Sequence, residues 1–299
     1  MENSMSGVAG SDQWRAMAER TTILRVPAGS TLHGLNLPGT DDSDEVGICI
    51  EDIDAAVGFS EFEQYIYRTA AEREGKHDAP SRAGDLDLTI FSLRKFLRLA
   101  MQGNPQILQC LFVPAHLCIV RDALGSTLQE LAPLLVSRHA GARYLGYLEA
   151  QRQRLLGERG QKKVNRPELE AKHGFDTKYA MHILRLGFQG VELMSTGKLT
   201  LPMAEKDRAF VYATRLGDVP LQDVLTHAGE LEHQIKDLLH DAPVPAEPAR
   251  EELQAWMVRR YLEAWKSRDI TSSYWATRKD LHAQTVMPTE SGTKKGTER

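Results

Sequence analysis

The chain has 299 residues, 41% of them hydrophobic, and a formal net charge of −4. That length suits about two domains of ordinary size, and that hydrophobic share is enough for packed cores. No apolar run approaches the roughly 20 residues of a membrane span, and the mild negative charge argues against indiscriminate nucleic-acid binding.

Residues 1–13 are polar and lack the charged-then-apolar pattern of a secretory signal. Cys49, Cys110 and Cys118 sit in apolar settings without C-x-x-C spacing, as reduced core thiols of a cytoplasmic protein do. Residues 21–26 (TTILRV) predict a short strand that ends at Pro27. Gly29 and Ser30 follow, a turn that exposes backbone N–H groups and a hydroxyl to an anion.

Asp42 and Asp44 come next, leading into the apolar run 46–50 (VGICI). Residues two apart on a strand share a face, so the two carboxylates aim together if the strand begins near Asp42. Like charges so placed call for a divalent cation, with magnesium (or manganese) suited to carboxylates plus phosphate oxygens. A bare D-x-D is more often an exposed acidic turn. Here it has company: the Gly-Ser turn before it, an apolar strand after it and a later acid-bearing strand.

That later strand is predicted at 86–92 (LDLTIFS). Asp85 and Asp87 share a face by the same alternation. Asp87 is chosen as the third ligand because an acid inside an apolar strand needs a partner, whereas Asp85 suits the turn at Gly84. Leu93, Phe96, Leu97 and Ala100 then form a helical stripe, stopped by Gly103-Asn104-Pro105.

Beyond residue 123 the pattern is helical. The chain therefore reads as an α/β (α+β) domain at 1–122, a helical domain at 123–241, and a C-terminal part at 242–299. The last contains a Pro-rich linker (242–248), a helix near 250–267 with Trp256, Tyr261 and Trp265, and a disordered tail. Between residues 138 and 178 ten Lys/Arg face five Asp/Glu, which suits the phosphates of a triphosphate or an RNA and equally a solvated helical face. After Asp176, a suitable N-cap, Lys178, His182 and Arg185 fall at i, i+4 and i+7 on one stripe. That stripe suits a triphosphate tail, although a lone histidine is more often a packing residue. Arg143, Arg166 and Glu192 are secondary candidates, and His33 is left out of the catalytic set.

Gly29-Ser30, then Asp42-x-Asp44, then a single Asp on a later strand resembles the minimal signature of the DNA polymerase β-type nucleotidyltransferase superfamily. The strings GSTLHGLNLPGTDDSDEVGI, DLTIFSLRKFLRLAMQGNP and RPELEAKHGFDTKYAMHILRLGFQG are similar to a phage and bacterial subgroup of RNA-repair association. The likeness runs from about residue 21 to 239 and departs at Ser43 and Glu45, where the superfamily carries apolar residues. It implies a small mixed-sheet catalytic domain followed by an all-helical one. Gly29 and Ser30 would hold the β- and γ-phosphates of an NTP, with Lys178, His182 and Arg185 as further nucleotide contacts. Asp42, Asp44 and Asp87 would hold two Mg²⁺ ions, with Asp87 also the base toward an acceptor hydroxyl. The implied acceptor is an RNA end, tRNA among the candidates. A protein or small-molecule acceptor, or a non-catalytic nucleotide-sensing module, are the competing readings.

Overall fold

The computed structural model describes residues 12–37, 39, 42–59, 61–76, 79–158 and 166–268. The C-terminal tail read as disordered, and Arg159, Lys162 and Lys163 of the basic segment, lie outside the described residues.

Five strands form one mixed sheet among the described residues: β1 (Thr22–Pro27), β2 (Ser43–Cys49), β3 (Gln64–Arg68), β4 (Leu86–Ser92) and β5 (Val120–Arg121), in the order β3-β4-β2-β1-β5. β2 and β4 pair in parallel, and the other neighbours are antiparallel. The alternation of side chains sorts the two faces. Val46, Ile48 and Phe91 join the large core on one face, while Cys49, Leu88, Ile90 and Tyr65 join a smaller cluster on the other. Met17 and Ala18 of the Asp12–Arg20 helix complete that smaller cluster. The fold is α+β, with helices on both faces.

The large core runs without a break from the sheet into the helices, taking in Ile48, Leu108, Tyr144, Leu184 and Ile235. Three long helices, Arg138–Leu155, Thr177–Thr196 and Leu221–Asp241, make up its far side. Glycine lets them approach closely: a Cβ on Gly187 would lie 2.7 Å from Leu231 Cδ1, and one on Gly190 2.6 Å from Ile235 Cδ1. The Asp176 carboxylate caps the second helix, accepting from the backbone N–H groups of Lys178 and Tyr179. No helix among the described residues is long and apolar enough to cross a membrane, and Cys49, Cys110 and Cys118 are free thiols.

The Pro-rich stretch 242–248 is bonded to the core rather than hanging free. The carbonyls of Pro245 and Ala246 accept from the backbone N–H groups of Arg138 (2.8 Å) and His139 (3.3 Å). They satisfy the start of a helix whose N-cap, Ser137, makes no side-chain capping bond.

The C-terminal helix Arg250–Ser267 then crosses to the far end of β2. There Glu51 is completely buried. Tyr261 Oη donates to its carboxylate at 2.9 Å and accepts from the backbone N–H of Arg94 at 3.1 Å. Trp265 Nε1 donates to the Glu51 carbonyl (2.8 Å) and Arg268 to that of Ile50 (2.7 Å). Burial pushes the Glu51 carboxyl up to about 7, from an ordinary value of 4.5. The folded chain thus holds a proton that the unfolded chain releases. The stability this adds is complete below pH 4.5 and is lost as pH rises toward 7. Melting temperatures followed from pH 5 to 8 should therefore fall with pH at this site, and Glu51→Gln should flatten that part of the profile. Tyr261→Phe should cost about 1–3 kcal/mol in urea unfolding, because it removes the side-chain partner of the buried Glu51 carboxyl and of the Arg94 N–H.

Candidate active site

β1 and β2 run antiparallel with Pro27 opposite Glu45, which brings the residues after β1 back over the start of β2. The Ala28 N–H donates to the Asp44 carbonyl at 2.8 Å. Gly29 has φ +60°, and a Cβ there would lie 2.1 Å from Asp44 Oδ2. Only glycine fits this position, on both conformation and space. Gly29 and Ser30 open a five-residue helix, Gly29–His33, where the sequence predicts a turn.

The parallel register of β2 and β4 sets Asp44 beside Asp87. Asp42 stands just before β2, two residues from Asp44 and on its side. Asp42, Asp44 and Asp87 are all half-buried, and each offers an oxygen within 4.8 Å of the others'. At such separations each pair of charges repels by about 3–4 kcal/mol for an effective dielectric of about 20. An all-oxygen, all-anionic donor set of this spread fits a hard divalent cation.

The structure separates Asp85 from Asp87. Asp85 is buried and gripped by Arg73, with Nη1 to Oδ1 at 2.6 Å and Nη2 to Oδ2 at 3.1 Å, and by the Arg82 N–H at 2.7 Å. The Arg73 guanidinium holds its carboxyl below the usual carboxylate range. Asp87 meets a different arrangement. Its Oδ2 accepts from Arg68 Nε (3.1 Å) and Ser81 Oγ (2.9 Å), while its Oδ1 is buried with no hydrogen-bond partner. An orphaned carboxylate oxygen beside two other carboxylates is the local sign of a site shaped for a cation.

Arg68 was not singled out in the sequence. It ends β3 directly opposite Asp87 in the antiparallel register. Its signal was the alternation in QYIYR, where Tyr65 and Tyr67 belong to the small cluster and Arg68 to the other face. A cleft of about 320 Å³ opens over this face, bounded by Gly29, Asp44, Arg68, Asp87, Gln106 and Gln109. Of the two departures, Ser43 is exposed and does not border the cleft, whereas Glu45 borders it with its carboxylate paired to Arg25.

The expected nucleotide contacts of the helical part do not border the cleft. Lys178 and His182 are half-buried, and Arg185 is 9% exposed. Arg185 Nη1 lies 3.2 Å from His33 Nε2 and donates to Gln189 Oε1 at 2.9 Å. His33, at 2% exposure, also lies 3.3 Å from Gln189 Nε2 through Nδ1. Burial first, then the Arg185 charge, drives the His33 pKa well below its ordinary value, so the ring is neutral. Burial likewise lowers His182, helped by Arg185, Lys178, Arg166 and Arg215 around it. Ser30 and Arg185 are thus joined through the short helix, with His33 as the link that sequence reasoning set aside.

The secondary candidates have structural partners. Arg166 pairs with Asp176 at 3.0 Å, Arg143 Nε donates to the Gln102 carbonyl at 3.1 Å, and Glu192 accepts from Thr200 N–H and Oγ1.

No functionally curated protein matches the sequence. Among solved structures, a nucleotidyltransferase-like protein from Exiguobacterium sibiricum 255-15 aligns over 77% of this chain and 72% of its own, at 10% identity and a TM-score of 0.28. That likeness is too loose for residue correspondences. The sequence profile of the RNA repair pathway DNA polymerase beta family matches residues 10–259, nearly the whole of the described chain, and the protein belongs to that family.

Proposed function

We propose that the protein is a metal-dependent nucleotidyltransferase that moves a nucleoside monophosphate from an NTP to the hydroxyl of an RNA end. The observation that carries this reading is the convergence of Asp42, Asp44 and Asp87 beside a glycine turn packed directly against the Asp44 carboxylate. Family membership supports the reaction class, and the family's RNA-repair description supports RNA as the acceptor.

In this reading the acceptor oxygen forms a bond to the α-phosphorus, the bond from that phosphorus to the β-phosphate bridge oxygen breaks, and pyrophosphate leaves. Asp42, Asp44 and Asp87 would hold Mg²⁺ or Mn²⁺, which supplies charge neutralisation for the phosphates. The backbone N–H groups opening the Gly29–His33 helix, with the Ser30 hydroxyl, bind the triphosphate. Asp87 also serves as the base toward the acceptor hydroxyl. Arg185, fixed behind the short helix, positions the phosphate turn through His33, while Lys178 supplies positive charge on the same helix and His182 stays neutral beside it. Most of the acceleration comes from positioning and charge neutralisation.

Purified protein incubated with each α-³²P-labelled NTP, Mg²⁺ or Mn²⁺ and total RNA should give a labelled RNA. The double variant Asp42→Asn/Asp44→Asn should lose this labelling by about 10²–10³-fold or more while keeping its circular dichroism spectrum. Label on protein alone moves the acceptor to a side chain, and NTP binding without any label points to a small-molecule acceptor or a non-catalytic binder. Gly29→Ala should lower kcat/KM by about 10- to 100-fold, because an added methyl group displaces Asp44 by roughly an ångström. Steady-state kinetics across NTP concentrations check this, and a wild-type rate would remove Gly29 from the phosphate site.

A further inference from the structure

Arg68, Ser81 and Asp87 form a closed triangle. Arg68 Nε donates to Asp87 Oδ2 at 3.1 Å, Arg68 Nη2 donates to Ser81 Oγ at 2.8 Å, and Ser81 Oγ donates to the same Oδ2 at 2.9 Å. Both donors fall on one carboxylate oxygen. The other, Oδ1, is buried and unpartnered, and Asp87 brings a carboxylate oxygen within 4.8 Å of oxygens of Asp42 and Asp44.

We infer that Arg68 and Ser81 are positioning residues that hold Asp87 as a single-oxygen metal ligand, presenting Oδ1 alone to the acid cluster. This rests on the nucleotidyl-transfer reading for its metal, and on the hydrogen bonds of this chain for its geometry.

The physical need is plain. Before any cation arrives, the two neighbouring carboxylates repel Asp87. An aspartate has few torsions and would turn its charge outward. Hydrogen bonds to an ionised acceptor are among the stronger ones, so two donors on Oδ2 oppose that turn and keep the carboxylate in place. They come from separate elements, the end of β3 and the segment before β4, so the side chain is fixed in direction as well as in position. With Oδ2 already accepting two hydrogen bonds, bidentate coordination by Asp87 is excluded.

The test is Mn²⁺ binding to the full chain, read from the electron paramagnetic resonance signal of free Mn²⁺, alongside metal-free melting curves. Arg68→Met, which removes the charged donor to Oδ2 and the bond that orients Ser81, should raise the Mn²⁺ dissociation constant about 10- to 100-fold, as loss of groups that orient ligands does. Ser81→Ala should raise it several-fold, and Arg68→Lys should fall between Arg68→Met and wild type. Metal-free melting temperatures should stay near that of wild type. Mn²⁺ affinity that is unchanged in Arg68→Met, or tighter because a nearby cation has gone, overturns the proposal. So does a wild-type protein that binds no Mn²⁺. If Arg68→Met does not fold, the same reading applies to Arg68→Lys and Ser81→Ala, and unaltered affinity in both overturns it. Mn²⁺ affinities that follow the expected order in a protein with no transferase activity leave the positioning role standing and sink the proposed function instead.

Discussion

Electrostatic repulsion among three carboxylates is the constraint around which this molecule is arranged. Asp42, Asp44 and Asp87 are brought together by backbone, not by their own attraction, because the parallel pairing of β2 with β4 leaves Asp44 and Asp87 no other place. The ladder of hydrogen bonds behind them supplies the force. Compensation is then local and incomplete: Arg68 and Ser81 satisfy one oxygen of Asp87, and the orphaned Oδ1 remains beside two other acids. A stable domain rarely keeps such a feature unless something binds there.

The helical half packs behind the short helix that borders the cleft. Arg185 is a buried guanidinium whose partners are a neutral histidine and a glutamine rather than a carboxylate. Such a charge is costly to bury, and its hydrogen bonds are specific in return. A neutral imidazole can accept at one ring nitrogen, so His33 is oriented by whichever of Arg185 and Gln189 it accepts from. The Gly29–His33 helix is therefore anchored at its last residue by the Thr177–Thr196 helix and at its first by contact with Asp44. Because one core spans sheet and helices, movement of either half would be felt at the Gly29–His33 helix.

Much of this could be read from sequence where the signal is periodic. The apolar alternation of β2 and β4, the placing of Asp42, Asp44 and Asp87, and the caps at Asp176 and around Gly103 all follow from local rules. Arg68 did not, because its partner lies 19 residues away and an ion pair across strands has no period. The spacing of Lys178, His182 and Arg185 correctly put them on one helical stripe, but a stripe does not say what it faces. Arg185 turns inward to the short helix because its carbon stem packs among apolar neighbours and its head finds His33. The Pro-rich stretch looked like a spacer because composition reports stiffness, whereas its role in closing the Arg138–Leu155 helix depends on two carbonyls meeting a distant helix end.

The last link is between the apolar end of β2 and its acidic end. Val46 and Ile48 fill the large core, Gly47 leaves room for Ile90, and Cys49 joins the opposite cluster. A slip of one residue would exchange the two faces, turning Glu45 toward the cleft and Asp44 toward Arg25. It would also drive Ile48 against Ile90, where a Cβ on residue 47 already comes within 2.9 Å. Hydrophobic packing at one end of the strand thus fixes which carboxylates meet at the other. The brace that Tyr261 and Trp265 place on Glu51 and its carbonyl holds that same strand just past its apolar end. The direction in which Asp44 points is set by contacts made several residues along, in groups well away from the cleft.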